Sequence, residues 1–422
     1  MSAREQNQER EPRRLLMIGY DSLEKLVSDG KIRLDDLKTL ELQFNFGKMF
    51  DEVLYVVPFG RKCEERRVSD TILYRELAFE RKGSGFHKLL AGLSHVRAAI
   101  AFLNKSVSDF KPDVVQTVGP HYTAALALFA RKVRALPKVC FIEAYWEDIL
   151  PWQTYFPKTV KLLLPYWYRL VYRLFERYSG APSLAPSYYS RRGMDEARIS
   201  PWIQPLDLSE VMDARAQDAP ESLHQAAHPR VVVLGRLHPE KLAPDALEIF
   251  AQAVGNDVKG SLVFVGDGSD RDVIQSRAAA LGLSDRVVIT GQVSHRIAMA
   301  ALKACDFSIA PMQGSALLET LAAGLPTVAY DHETHAALID DGINGVLVRH
   351  RDCEAGARAL RMLLTTPERA KAIGQAAYQR VEERYNVTAM RDLLKRAFND
   401  AYADRTPRTT PVQHQDHAGV SV

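Results

Sequence analysis

The chain has few cysteines and no long apolar run, and these two absences exclude several classes of protein. Only four cysteines occur in 422 residues, and none forms a C-x-x-C pair. Scattered cysteines favour a reduced, cytoplasmic compartment over a disulfide framework. No stretch approaches the roughly 18 uninterrupted apolar residues of a membrane-spanning helix. The N-terminus, M-S-A-R-E-Q-N-Q-E-R-E-P-R-R, holds no apolar signal-peptide core, so secretion is not expected.

Three familiar site motifs are also missing. No Walker P-loop is present, and V-G-D-G-S-D lacks the third glycine of a dinucleotide fingerprint. The H-E-T-H of His332–His335 is not the H-E-x-x-H of a zinc site, and we interpret its two histidines as partly exposed helix residues. We therefore expect no metal ion, no cofactor and no nucleic-acid partner.

Size and composition are those of an ordinary globular protein. A chain of 422 residues is long enough for two domains with separate cores. Residues 1–208 carry 32 Lys and Arg against 25 Asp and Glu, a net charge of +7, whereas residues 209–422 carry a net −4. Two interpretations stay open for this asymmetry: an anionic partner for the first half, or cations scattered over a solvated surface.

Short apolar runs that alternate with helical patterns predict parallel sheets covered on both faces. In the first half we predict strands over Leu15–Ile18, Glu52–Val57, Val114–Val118 and Val139–Ile142. In the second half we predict them over Val231–Gly235, Leu262–Val265, Val287–Ile289, Phe307–Ala310, Thr327–Ala329 and Val346–Val348. The predicted fold class is α/β, with two doubly wound Rossmann-like domains facing a central cleft, where such sheets bind ligands.

The predicted domain boundaries lie where this pattern stops. Residues 1–13 and 403–422 have no periodicity and are predicted to be disordered tails. The N-terminal domain covers 14–208, and the C-terminal domain covers 230–387. The polar, unpatterned stretch 209–229 between them is predicted to be an interdomain linker.

Two strand ends in the second half carry residues suited to a diphosphate. Arg236 directly follows Gly235 at a strand end, and Lys241 comes five residues later. Arginine can fork to two phosphate oxygens, and lysine adds a compact charge. The alternative is a pair of surface cations in a loop.

The second of these strand ends opens a helix. Gly314 and Ser315 precede a predicted helix over Ala316–Ala323, with Ser315 as the candidate N-cap, and the free amides and dipole of a helix start attract phosphate without a metal ion. Glu319, one turn further, is suited to accept hydrogen bonds from ribose hydroxyls, or else it is a solvated helix residue.

Further turns at strand ends are candidates to flank the nucleotide base. One is the turn Gly266, Asp267 and Gly268, and the other is T-G-Q-V-S-H with Val293. The G-x-G pattern alone is common, so this signal is weaker than the preceding one.

The second half resembles the donor domain of the retaining glycosyltransferases of family four, the group 1 family with the GT-B fold. The matching pieces, in the family's order, are G-R-L-x-x-E-K, V-G-D-G, L-G-L-S-D-R-V-V-I-T-G, A-P-x-x-G-S-x-x-L-E-T-L-A-A-G-L-P-T-V-A and D-G-I-N-G-V-L-V. The resemblance implies sugar transfer from a nucleotide donor, with retained configuration and no metal ion. It also implies that a last helix, over 388–402, crosses back to the N-terminal domain.

The chain departs from this family at several positions. The family has two glutamates eight positions apart; Glu319 matches the second, and Pro311 stands at the first, which is assigned to the donor sugar. Where the family often has a histidine near the sugar, this chain has Glu143, which is a candidate sugar or acceptor contact, a candidate base, or a paired structural carboxylate. The opening loop has no Gly-Gly, and we assign its Tyr20 and Asp21 to the acceptor side.

Two further assignments concern the acceptor side. His121, in V-G-P-H-Y-T, follows a strand end and either faces the cleft or has a capping or surface role. In the stretch 156–178, helical spacing relates two sets of side chains, an apolar one and a basic one: Trp167, Leu170, Val171, Leu174 and Phe175, with Arg169, Arg173 and Arg177. Such a helix either lies on an anionic membrane surface or packs on the core with solvated arginines.

The sequence thus predicts a glycosyltransferase that uses a nucleotide-sugar donor and a hydroxyl acceptor, a glycan or glycolipid precursor. Arg236, Lys241 and Glu143 are the candidate catalytic residues. The expected location is the cytoplasm, with peripheral contact to the membrane as a hypothesis. Two alternatives stay open: a catalytically silent subunit that binds a nucleotide or a partner transferase, and an epimerase that acts on the nucleotide sugar.

Overall fold

The computed structural model describes residues 11–28, 32–79, 85–142, 158–180, 194–201, 208–255, 258–332 and 334–405. The chain divides into two compact units. The first, the N-terminal unit, comprises residues 1–179, 192–200 and 394–422. The second, the C-terminal unit, comprises residues 180–191 and 201–393. Each unit is built on its own sheet.

The sheet of the N-terminal unit has the order β3-β4-β2-β1-β5-β6-β7-β8 in the described residues. Its strands are β1 Arg14–Ile18, β2 Glu52–Gly60, β3 Glu64–Arg67, β4 Ile72–Ala78, β5 Val114–Val118, β6 Lys138–Phe141, β7 Arg177–Gly180 and β8 Ile199–Pro201. Its helices are α1 Leu23–Ser28, α2 Leu37–Phe44, α3 Gly85–Phe110, α4 Tyr122–Phe129, α5 Arg131–Arg134 and α6 Lys158–Leu174. The strand order reverses between β1 and β5, which pair in parallel.

The four strands predicted in this half are confirmed within a few residues, and four others were missed. The missed strands β3 and β4 form an antiparallel hairpin at one edge of the sheet. β3 reads E-E-R-R and is mostly exposed. An edge strand that faces water needs no apolar run, and its charges discourage pairing with another chain. Apolar periodicity therefore carries no signal for it.

The sheet of the C-terminal unit has the order β11-β10-β9-β12-β13-β14 in the described residues. Its strands are β9 Arg230–Leu234, β10 Ser261–Val265, β11 Val287–Ile289, β12 Phe307–Ala310, β13 Thr327–Asp331 and β14 Val346–Arg349. This is the 3-2-1-4-5-6 order of a doubly wound sheet, and all six strands were predicted. The order reverses between β9 and β12, which is where ligands bind in such sheets.

Helices alternate with the strands along this part of the chain. They are α7 Leu208–Met212, α8 Glu221–His224, α9 Ala243–Val254, α10 Arg271–Ala280, α11 His295–Lys303, α12 Gly314–Ala322, α13 His335–Leu338, α14 Cys353–Thr365, α15 Pro367–Arg384 and α16 Val387–Arg405. The core between α9, α14 and the sheet is built on Phe250, Leu247 and Leu360, all fully buried. Burial of such side chains is the main stabilising term of the unit.

The stretch 209–229, predicted as a linker, is instead folded and belongs to the C-terminal unit. Val211 of α7 and Leu223 of α8 are completely buried. The guanidinium of Arg230 holds the end of this stretch, because it donates to the carbonyls of Ala226 at 2.9 Å and His224 at 3.1 Å. The polar composition gives no indication of this folding, since among the described residues only three apolar side chains of the stretch are buried, those of Val211, Ala219 and Leu223.

The last helix, α16, is longer than predicted and changes unit along its length. From Leu394 onward it belongs to the N-terminal unit. Within that unit, the ring of Phe398 packs edge-on against Phe50 at 5.0 Å. Arg405 donates to Glu176 at 2.5 Å, next to the strand β7.

Helix α6 exposes an apolar face that differs from the predicted one. Val171 and Phe175 are buried in the unit, whereas Leu170 and Leu174 are exposed. Three large side chains upstream, Leu162, Leu163 and Tyr166, are also exposed, by 65% to 73%. Arg169 and Arg173 are exposed as well. Arg177 lies outside the helix, in β7, and pairs with Asp404 at 2.5 Å. Along the described residues, no helix combines the length and the apolar character that crossing a bilayer demands.

We predict that Arg230→Met lowers the free energy of unfolding by about 3 kcal/mol, because one buried and two partly buried carbonyls lose a charged donor. Those carbonyls belong to Ala226, His224 and Ala304. Chemical unfolding followed by circular dichroism measures the change. The matched control is Arg358→Met, an exposed arginine that makes a 3.5 Å pair with Glu354 and should change stability by less than about 0.5 kcal/mol. Equal losses in the two variants would contradict the anchoring role of Arg230.

Candidate functional site

A pocket of about 250 Å³ lies where the strand order of the C-terminal sheet reverses. It is lined by the end of β9 with the loop that follows, and by the start of α12: Val233, Leu234, Gly235, Arg236, Leu237, Lys241, Ala243, Gln313, Gly314, Ser315 and Ala316. β9 and β12 are neighbours, and the chain leaves their carboxyl ends in opposite directions. This divergence opens a crevice between the two loops.

The structure brings both predicted cations to this pocket. Arg236 follows β9 directly, and its side chain is 73% exposed. Its guanidinium lies 3.4 Å from Glu240, whose carboxylate also bonds His238. Partial burial is the largest single influence and raises the pKa of Glu240, but the contacts with His238, with its own backbone amide and with Arg236 together hold the pKa below its usual value. Lys241 ends a short 3-10 turn, Pro239–Lys241, and is half-buried.

Glycines of the second turn let two loops pack against each other. The carbonyl of Gly235 would lie 2.0 Å from a Cβ at position 266, and the carbonyl of Leu237 would lie 2.1 Å from a Cβ at position 268. The amide of Leu237 donates to the carbonyl of Asp267 at 2.9 Å. Gly266 and Gly268 therefore support the loop that carries Arg236, and neither lines the pocket among the residues given above.

Asp267 and Val293 lie close to this supporting turn. The Asp267 carboxylate accepts from Arg271 at 2.7 Å and from the amide of Gly268 at 2.9 Å. A bridge between Gly266 and Gly291 ties the turn to the segment that holds Val293. Val293 itself is half-buried and precedes α11 by two residues.

The start of α12 presents backbone donors to the pocket. Its N-cap residue, Gln313, makes no side-chain bond to the helix amides. The first amides of a helix have no intrahelical acceptor, so those of α12 are available to a ligand. A Cβ at Gly314 would meet nothing within 4 Å, so the backbone there faces open space. An anion is electrostatically favoured at this position.

Glu319 lies further along α12 and outside the pocket lining. Its side chain is 19% exposed, and its carboxylate accepts from Nε2 of His295 at 3.1 Å. His295 is the first residue of α11 and the last of the T-G-Q-V-S-H segment, which was predicted to flank the base and not to contact Glu319. Pro311, at the position of the family's other glutamate, is buried between β12 and α12.

His335 was predicted to be a partly exposed helix residue, and this is wrong. Only 2% of it is exposed. Nδ1 lies 2.9 Å from the carbonyl oxygen of Tyr330, and Nε2 lies 3.2 Å from that of Gln313. Burial lowers the pKa of the imidazole to about 4, although both carbonyl contacts act in the opposite direction. The short motif H-E-T-H gives no indication of this burial.

The candidate acceptor-side residues lie at the corresponding reversal of the N-terminal sheet. Tyr20 and Asp21 follow β1, His121 follows β5, and these two strands pair in parallel. The carbonyl of Asp21 accepts from the hydroxyl of Tyr55 at 2.8 Å. His121 is the N-cap residue of α4 but makes no capping bond with its side chain.

The imidazole of His121 is held inside the N-terminal unit. Its Nδ1 lies 3.0 Å from the hydroxyl of Tyr168 in α6. Burial lowers the pKa of His121 to about 4, so the ring is neutral at physiological pH. Glu143, the other candidate for the acceptor side, lies outside the described residues.

Comparison with known proteins identifies relatives of the C-terminal unit. The family model described as "Glycosyl transferases group 1" matches residues 215–380. The alpha-D-kanosaminyltransferase of Streptomyces kanamyceticus is 27% identical over 192 residues, which are 44% of this chain and 50% of that protein. The alpha-monoglucosyldiacylglycerol synthase of Streptococcus pneumoniae is 32% identical over 139 residues, 32% of this chain and 31% of that protein. The chain spans half or less of the length of the curated relatives it matches first.

Solved structures extend the similarity to both units. The crystal structure of HepE from Anabaena in complex with UDP has a TM-score of 0.65 at 14% identity, covering 91% of this chain and 99% of that chain. The sucrose-phosphate synthase of Thermosynechococcus elongatus has a TM-score of 0.66 at 16% identity, covering 93% and 100%. At these identities the likeness shows the fold alone. The fold of the chain is therefore GT-B, and residues 215–380 match the model of the group 1 glycosyltransferase family.

Proposed function

We propose that the protein is a glycosyltransferase that moves a sugar from a nucleotide-sugar donor to a hydroxyl of a glycan or glycolipid acceptor. The observation that carries this proposal is the pocket at the reversal between β9 and β12. It joins two cationic side chains, Arg236 and Lys241, to the free amides at the start of α12. Fixed positive charge beside open backbone donors is what a diphosphate leaving group requires.

The reaction needs stabilisation of the charge that develops as the diphosphate departs. Arg236 and Lys241 supply that charge, and the amides from Gly314 onward supply oriented dipoles. These groups do the work that a metal ion does elsewhere, so we propose a metal-independent reaction without a cofactor. Arg236 can give up its contact with Glu240 and bind a phosphate instead, because that contact is weak at 3.4 Å.

The nucleoside is assigned to the residues beside the pocket. Glu319 is one turn beyond the amides of α12, and its carboxylate is already oriented by His295. We propose that it accepts hydrogen bonds from the ribose hydroxyls. The turn of Gly266, Asp267 and Gly268, together with Val293, is assigned to the side of the base.

We propose that the sugar is transferred with retention of configuration, by attack of the acceptor hydroxyl on the face from which the phosphate leaves. Pro311 has no side-chain acceptor at the position that the family assigns to the donor sugar. A direct front-face attack is therefore simpler than a covalent enzyme intermediate. Tyr20, Asp21, His121 and Glu143 are assigned to the acceptor side.

Pro311 and Glu143 favour one alternative, a catalytically silent subunit, whereas the linear order of the motifs argues against the other, a nucleotide-sugar epimerase. Incubation with UDP-, GDP- and ADP-sugars separates all three. A transferase releases nucleoside diphosphate, an epimerase converts the donor without releasing it, and a silent subunit does neither.

The proposed location is the cytoplasm, at the surface of an anionic membrane. The exposed apolar side chains of α6 lie on one side of the helix: Leu162, Leu163, Tyr166, Leu170 and Leu174. A soluble surface rarely exposes so many large apolar residues together. Arg169 and Arg173 flank them, and a basic apolar helix of this kind binds anionic lipid. A glycolipid acceptor would be presented at the same surface. The relative from Streptococcus pneumoniae, alpha-monoglucosyldiacylglycerol synthase, is itself named for a glycolipid.

We predict that Arg236→Ala and Lys241→Ala each lower kcat for sugar transfer by about 100- to 1000-fold, the usual effect of removing one donor to a developing anion. Nucleotide release with the donor found in the panel measures it. The matched control is Arg277→Ala, an exposed arginine of α10 that pairs with Glu248 and should retain full activity. Unchanged activity in both pocket variants would disprove the donor-site assignment.

We predict that the double variant Leu163→Glu, Leu170→Glu reduces binding to vesicles of phosphatidylcholine and phosphatidylglycerol at least about tenfold, because two charges would enter an apolar interface. Co-sedimentation measures the bound fraction. The matched control is Phe129→Glu, at the end of α4, which changes another exposed apolar side chain and should bind as the wild type does. Equal binding by wild type and double variant, or failure of the wild type to bind at low salt, would contradict the membrane assignment.

A further inference from the structure

His335 lies deep in the C-terminal unit, at the carboxyl end of the strand next to the pocket. It is the first residue of α13, and β13, which ends at Asp331, pairs with β12. Its ring touches two backbone carbonyls, those of Tyr330 and Gln313. A buried ring that joins the end of one strand to the loop after its neighbour restrains both.

The contact with Gln313 fixes the direction of one peptide group. Gln313 is the N-cap residue of α12, in an extended conformation with φ −93° and ψ 103°. Its carbonyl oxygen points at Nε2 of His335, 3.2 Å away. In a planar trans peptide, the carbonyl and the following N–H point in opposite directions. The amide of Gly314 therefore points away from His335, on the side where Gly314 and Ser315 line the pocket.

We propose that His335 is a positioning residue that orients the Gly314 amide toward the phosphates of the donor. The inference rests on the function proposed above and names a residue that supports the same site. Nε2–H of His335 donates to the carbonyl of Gln313, and the Gly314 amide donates to a phosphate oxygen. Hydrogen bonds in such a chain polarise one another, so each strengthens the next.

The carbonyls of Tyr330 and Gln313 compete for a hydrogen bond from the ring of His335. Because burial keeps the imidazole neutral, it has one N–H for the two carbonyls that it touches. An anion on the Gly314 amide polarises the peptide and makes the Gln313 carbonyl the better acceptor. Ligand binding and the Nε2–H form of His335 then favour each other.

The test compares UDP with uridine, which shares the nucleoside and lacks the phosphates. We expect His335→Leu to weaken binding of UDP about tenfold, the effect of one lost hydrogen bond, and to leave uridine binding unchanged. His335→Gln keeps an N–H donor and should retain most of the affinity for UDP. Isothermal titration measures UDP, and ligand-observed NMR measures uridine; GDP with guanosine and ADP with adenosine replace this pair if the donor panel selects another base.

The matched control is Asn344→Leu. Asn344 is as deeply buried as His335 and also bonds two backbone groups, the carbonyl of Leu338 at 3.0 Å and the amide of Asp340 at 2.6 Å. It does not line the pocket, so its loss should lower stability without changing the ratio of UDP to uridine affinity.

Two results would overturn the inference, and they are distinguishable from each other. If wild-type protein binds UDP but His335→Leu weakens UDP and uridine alike, or weakens neither, the positioning role is wrong and the proposed function stands. If wild-type protein binds none of the three nucleoside diphosphates, the proposed function fails, and this inference fails with it.

Discussion

The proposed donor pocket depends on the reversal of strand order between β9 and β12. In a parallel sheet, chains that leave two neighbouring strands toward opposite faces leave a crevice between them. Here the loop after β9 brings Arg236 and Lys241 to that crevice, and the loop after β12 brings the start of α12. Cationic side chains and helix amides thus lie side by side without a Walker P-loop. The other contacts of the site keep these two loops in place.

Those contacts are mostly between backbone groups, and this explains the residue types. Gly266 and Gly268 are required because the carbonyls of Gly235 and Leu237 occupy the space of a Cβ. His335 holds the carbonyl of Gln313 from the opposite side. Each of the two loops is therefore held by contacts inside the unit: the loop with the cations packs against Gly266 and Gly268, and the loop with the amides contacts His335. The residues of both loops that line the pocket remain available to a ligand. Preorganised donors of this kind lose little energy to rearrangement when charge develops.

The sequence indicated much of this arrangement, because the relevant signals are local. Continuous apolar runs predicted all six strands of the C-terminal sheet, and polar residues at their carboxyl ends predicted the pocket lining. Features that depend on contacts with residues elsewhere in the sequence could not be predicted. The burial of His335 depends on carbonyls at Tyr330 and Gln313, and the folding of 209–229 depends on the guanidinium of Arg230. In α6, periodicity identified an amphipathic helix but grouped the buried Val171 and Phe175 with the exposed Leu170 and Leu174, since apolar residues occur on both faces.

The chain departs from the family that it resembles at the position assigned to the donor sugar, where Pro311 stands in place of a carboxylate. The diphosphate site does not depend on that position, and it is the central claim of this account. The most direct test is a crystal structure of the protein with UDP, or with the diphosphate of the base that the donor panel selects. We expect phosphate oxygens at about 3 Å from the Gly314 amide and from the side chains of Arg236 and Lys241, with the ribose on Glu319. A nucleotide bound with its phosphates away from the start of α12 would contradict the account.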